Sequence, residues 1–126
     1  MISILHKAKR ADSLGWAYGT PRFDGLIVEI VSDTTAKKYI INKDTACRYI
    51  GVLDRDNRKI FEGDIVQLSQ RGLKKGIIEW DTENLGWVIN FNLPENGNKT
   101  LTHYKPSVRA SKAHLYKVVG NIFDDV

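Results

Sequence analysis

The sequence predicts a mainly β fold, a small barrel or sandwich with at most one short helix. Two observations carry that reading: apolar and β-branched residues come in runs of strand length, and clusters of Gly, Asp, Asn and Ser that favour turns separate them. A third is that a helix is hard to place anywhere. Many short strands at this spacing suit a closed β architecture, which removes the sheet edges that would otherwise aggregate.

Residues 2–9 alternate roughly between apolar and polar, with Ile2 and Leu5 set against Ser3, His6 and Lys7, and read as a first strand. Lys7 and Lys9, two positions apart, share one face of it. Asp12-Ser13 form a turn before a second segment, Gly15-Trp16-Ala17-Tyr18-Gly19. Residues 26–31 and 38–41 read as strands bounded by Asp24-Gly25, Ser32-Asp33 and Asn42-Lys43-Asp44, with a hairpin connection through Ser32-Asp33-Thr34-Thr35. Residues 48–52 are β-prone and run into Asp54-Arg55-Asp56-Asn57-Arg58, where Asp and Asn side chains bond their own backbone and favour a turn. Gly63-Asp64 then marks a tight turn before a strand whose Ile65, Val66 and Leu68 supply core contacts. Strands at 76–80, 86–92, 100–104 and 116–123 complete the set. In 86–92 the alternation places Trp87, Ile89 and Phe91 on one face and Val88, Asn90 and Asn92 on the other. The best helix candidate spans only 108–116, with Pro106 and Ser107 able to start it.

The length of 126 residues fits one domain, so 1–126 is read as a single unit. With 42% hydrophobic and 27% charged residues the chain has the composition of a folded protein rather than a disordered one. No apolar run approaches the roughly 18 residues of a membrane span. The start also lacks the apolar core of about 7–15 residues that a signal peptide needs, so a cytoplasmic protein is expected. Cys47 is the only cysteine, which excludes an intramolecular disulfide and a cysteine-built metal site. The net charge of +4 favours anionic partners such as nucleotides or nucleic acid.

The segment Tyr49-Ile50-Gly51-Val52-Leu53-Asp54-Arg55-Asp56-Asn57-Arg58-Lys59-Ile60-Phe61-Glu62-Gly63-Asp64-Ile65-Val66 is similar to the pattern of the YopX-like phage family, roughly TGLKDKNGKEIYEGDIV. Ile50 stands where that pattern usually has Thr, and Arg58 where Gly is common. Lys7-Ala8-Lys9-Arg10 followed by Gly15-Trp16-Ala17-Tyr18-Gly19 resembles the family's opening. Val118-Val119-Gly120-Asn121-Ile122-Phe123-Asp124 resembles its ending. The resemblance implies an SH3-like β-barrel core with additional N-terminal strands, a phage or prophage origin in a bacterial host cell, and a homo-oligomer. It implies no reaction.

The residues themselves argue for binding over chemistry. No GxxxxGK[ST], GxSxG or HExxH motif is present. His6, His103 and His114 lack a spacing that would make them converge, and the acidic residues Asp54, Asp56, Glu62 and Asp64 are explained by turns. No catalytic residue, metal ligand or cofactor is therefore expected. The mixture in 87–112 suits a nucleotide, since aromatic faces stack on bases, amides meet base edges, and cations meet phosphate. Arg109 is the best phosphate candidate because of its planar fork of donors, with Arg22 and Lys105 as further cations. Trp87, Phe91 and Tyr104 are candidates for stacking and Asn92 for a base edge or ribose. The competing reading of the same stretch is a hairpin with an aromatic core face and a solvated loop. A second basic group is Lys7, Lys9 and Arg10 with Arg22, and a third is Arg71, Lys74 and Lys75.

The expected function is that of a phage accessory, counter-defence protein that sequesters a small nucleotide-derived immune signal without hydrolysing it. In this it would be similar to sponge proteins of the Thoeris anti-defence type, which take cyclic nucleotide or cyclic ADP-ribose signals. The alternatives are a nucleic-acid-binding phage regulator and a structural or protein-binding phage component.

Overall fold

The computed structural model describes residues 5–24, 27–32, 35, 37–69, 74–93 and 106–125. These residues form β1 (His6–Lys9), β2 (Trp16–Asp24), β3 (Ile27–Val31), β4 (Lys38–Ile40), β5 (Cys47–Leu53), β6 (Lys59–Phe61), β7 (Asp64–Leu68), β8 (Lys75–Asp81), β9 (Gly86–Asn90) and β10 (Tyr116–Asn121). The mainly β expectation holds, with the strands in two antiparallel sheets ordered β4-β3-β2-β1-β5-β6 and β10-β7-β8-β9. The chain divides into two compact units, Met1–Tyr49 and Ile50–Asp125, each with its own cluster of buried apolar side chains.

In the first unit β1 is central. It pairs on one edge with β2, placing Lys7 opposite Tyr18 and Lys9 opposite Trp16, and on the other with the start of β5, placing Lys7 opposite Cys47. Strands β2, β3 and β4 continue as a meander. Beyond β1 an isolated antiparallel bridge joins Arg10 to Ile41, flanked by hydrogen bonds from Ala11 N–H to Ile40 O and from Asn42 N–H to Lys9 O, both 2.9 Å. Apart from this bridge, the ladders among the described residues leave both sheets open.

The inner face of the first sheet carries Ala8, Ala17, Ile30 and Ile41, with Tyr39 and Ala46 packed against them. Ala8 and Ala17 face each other across the β1–β2 pair. Gly19 belongs to the same packing, because a Cβ there would overlap the carbonyl oxygen of Val31. A 3-10 turn at Lys43–Thr45 links β4 to β5. Its Thr45 is buried, accepting from Lys9 N–H (2.8 Å) and donating to Asn42 O (2.7 Å).

The second unit buries Ile60, Val66, Leu68, Ile78, Ile89 and Tyr116, with Trp87, Phe91, Val108 and Val118 packed at the margin. Here β10 pairs with β7 through a bulge between Val118 and Gly120, and β7 and β9 flank β8. A short extended segment adds to β9, with Ile89 N–H donating to Pro106 O and Val108 N–H to Trp87 O, both 2.9 Å.

Several boundaries differ from the sequence reading, β9 ending at Asn90 and β10 at Asn121 among them, and two differences are larger. β2 continues past Gly19 to Asp24, although Pro21 lacks the N–H that a central ladder position would use. The expected helix at 108–116 is a 3-10 segment, Ala110–Leu115, starting at Arg109 without a side-chain cap. The proposed strand at 100–104 lies outside the described residues.

Candidate ligand-binding surface

Asp54 is buried, and its carboxylate is fully engaged. Oδ1 accepts the N–H groups of Asp56 (2.8 Å) and Arg58 (2.9 Å), closing the β5–β6 turn, and Oδ2 accepts Val118 N–H (3.0 Å) from β10. Burial pushes its pKa up, but the donors from Val118, Arg58 and Asp56, helped by the charge of Arg58, outweigh that and hold it below the ordinary 3.8. Asp64 is likewise buried, accepting Phe61 N–H at Oδ2 (2.8 Å) and the Asn121 amide at Oδ1 (2.9 Å). Asn121 also accepts Phe123 N–H at 2.9 Å, and Ile122 N–H reaches Gly63 O at 3.0 Å. The central segment and the chain's ending are thus sewn together by carboxylates acting as acceptors for backbone and amide donors. Among the described residues no group of three or more His, Cys, Asp or Glu is placed to hold a metal ion.

Of the residues singled out in 87–112, Trp87, Phe91, Asn92 and Arg109 are described, and backbone pairing relates Trp87 to the segment that carries Arg109. Val108 pairs with Trp87, which sets Arg109 beside Gly86 at the edge of the sheet. Trp87 and Phe91, on the one face that the alternation gave them, pack against the core of the second unit. Phe91 covers Gly76, where a Cβ would lie 3.1 Å from its ring, and Trp87 meets the Trp80 ring edge-on at 5.2 Å. Arg109 follows Ser107, which bridges Val88, so strand alternation directs it to the face opposite Trp87. Its N–H donates to the Tyr116 hydroxyl at 3.2 Å and its side chain is exposed. The Asn90 amide donates to Glu79 (2.9 Å), and its Oδ1 accepts the N–H of exposed Asn92 (2.9 Å). Tyr104 and Lys105 lie outside the described residues.

The first unit gathers cations and aromatics more closely. Side chains at paired positions of an antiparallel ladder project to one face, so Lys7 and Lys9 of β1 join Trp16, Tyr18, Thr20 and Arg22 of β2 on the outer side of the sheet. Lys38 and Ile40 of β4 fall on the same side by register through β3. The Lys7 ammonium sits 4.5 Å and the Lys9 ammonium 5.4 Å from the Trp16 ring centroid, within the range of cation–π attraction. Lys7 is buried, whereas Tyr18 is 50% and Ile40 59% exposed and Arg22 and Lys38 face solvent. Around the end of β1 the Arg10 guanidinium stacks 4.7 Å from the Tyr39 ring and pairs with Asp12. Up to Tyr49 the chain holds eight Lys or Arg and five Asp or Glu, so +3 of the total +4 lies in this unit. The shared face of Lys7 and Lys9 was visible in the sequence. Their convergence on Trp16 was not, because it depends on the β1–β2 register.

Among the described residues no helix is long and apolar enough to cross a membrane. No curated protein matches the chain. A family model described as YopX protein matches residues 23–126, which takes in the central segment and the ending and begins just after Arg22. With the match extending over most of its length, the chain belongs to the YopX family, a family of phage-associated proteins.

Proposed function

We propose that this protein is a phage accessory protein that binds a nucleotide-type, phosphate-bearing ligand and leaves it intact. The observation that carries this reading is the outer face of the first sheet, where cations and aromatic rings from β1, β2 and β4 share one side. Rings offer stacking surface to bases and cations neutralise phosphate. The buried carboxylates Asp54 and Asp64 are committed to backbone and amide donors. The counter-defence sponge and the nucleic-acid regulator share this chemistry and differ in the size of the ligand. In either form the proposed setting is the bacterial cytoplasm, with the chain self-associated so that the modest charge of each subunit adds around a symmetry axis.

The test is to incubate the purified protein with a panel of cyclic nucleotides, cyclic ADP-ribose, mononucleotides and short oligonucleotides, denature it by heat, and identify what is released by mass spectrometry. Recovery of one class intact, at fixed stoichiometry, is the expected outcome. Recovery of a hydrolysed product would overturn the binding-only reading, and recovery of no nucleotide would overturn the ligand class.

A further inference from the structure

We propose that the outer face of the first sheet is a platform for single-stranded nucleic acid, lying along β2 from Trp16 to Arg22. This rests on the nucleotide-type reading above and adds that the ligand is a polymer. Small-molecule sites are concave and enclose most of their ligand. The residues gathered here lie on the side of the sheet away from the Ala8, Ala17, Ile30 and Ile41 cluster, where Lys7 and its ladder partner Cys47 are buried and Tyr18, Arg22 and Lys38 are exposed. Such a surface is suited to a strand that needs only a track of charge and ring faces.

The dimensions agree. Six residue steps from Trp16 to Arg22 span about 20 Å at roughly 3.3 Å each. A nucleic-acid strand advances about 3.4 Å or more per nucleotide, so the track accommodates several. Chemistry is distributed along it in the needed order. Trp16, with Lys7 and Lys9 against its ring, forms one end, exposed Tyr18 lies next, and exposed Arg22 and Lys38 supply cations farther along and across the sheet. Tyr18 is half-exposed on the side of the sheet away from the Ala8, Ala17, Ile30 and Ile41 cluster, opposite Lys7. It is what a base-stacking platform requires. The unit as a whole carries most of the chain's net positive charge, and on this face the ladder sets Glu29 opposite Arg22.

The experiment measures fluorescence anisotropy of labelled single-stranded DNA and RNA oligonucleotides of increasing length, with ATP and a cyclic dinucleotide measured in parallel by calorimetry. Affinity is expected to grow with oligonucleotide length. Three phosphate contacts give a single-strand salt slope near 2, so affinity should fall roughly 20-fold between about 50 and 200 mM salt. Arg22→Glu with Lys38→Glu, both at exposed positions, should weaken binding at least tenfold and flatten that slope. Tyr18→Ala should weaken binding with the slope unchanged, and circular dichroism checks that each variant is folded. Tight binding of ATP or the cyclic dinucleotide with no gain from oligonucleotides would overturn the polymer platform while leaving nucleotide binding intact. Binding of neither class would overturn both. Oligonucleotide binding that ignores these substitutions but is lost in Arg109→Ala would overturn the placement on the first sheet.

Discussion

Burying a carboxylate is costly unless donors replace the water it gives up, and at Asp54 three backbone N–H groups do so. Its position in the segment most characteristic of the family therefore reflects architecture, since one side chain closes the β5–β6 turn and holds β10. Asp54→Asn keeps the shape and one acceptor oxygen but turns an amide NH2 toward Val118 N–H or toward the turn donors. A loss of about 1.5–3 kcal/mol is expected by urea denaturation at neutral pH, the range for hydrogen bonds to charged groups. Because the folded pKa lies below 3.8, this contribution is complete above the unfolded value and is lost as pH falls through the lower folded one. The stability gap between wild type and Asp54→Asn should accordingly narrow below about pH 4. A gap that stayed constant down to pH 2 would show that the Asp54 carboxyl has the same pKa in the folded and the unfolded chain, and would contradict this role.

Strands were legible in the sequence because alternation and turn residues are local signals. The alternation of 86–92 put Trp87, Ile89 and Phe91 on one face, and that face packs on the core of the second unit, although Val88 on the other face is buried too. What it could not reveal was the consequence for binding: inward rings serve the core, and Arg109, two residues beyond the Val88–Ser107 bridge, projects to the other side. Phe91→Ala should lower stability by about 2–3 kcal/mol, somewhat under the 3–5 kcal/mol of a fully buried phenylalanine, and leave nucleotide affinity unchanged. A loss of affinity with stability preserved would return Phe91 to the ligand. The β1–β2 hairpin teaches the converse. Lys7, Lys9 and Trp16 are ordinary strand residues when read along the chain. They meet only because the turn closes with Arg10 N–H donating to Gly15 O at 2.9 Å and Ser13 held at a left-handed φ of 65°. Register of that kind is a property of two strands, and Pro21 further concealed how far β2 continues.

For the molecule as a whole, the family model matches residues 23–126, whereas the residues proposed to bind lie on β1, β2 and β4, largely ahead of that match. The carboxylates of the central segment, Asp54 and Asp64, act as hydrogen-bond acceptors within the second unit. Charge follows the same division, with little net positive charge left after Tyr49. The most direct test of the account is chemical-shift mapping of the isotope-labelled full chain titrated with a single-stranded oligonucleotide. The account predicts that perturbations concentrate on Lys9, the Trp16 indole, Tyr18, Arg22 and Lys38, with Asp54, Asp64 and Asn121 silent. Perturbations centred on Asn92 and Arg109, or on the segment from Asp54 to Asp64, with the first sheet unmoved, would contradict it.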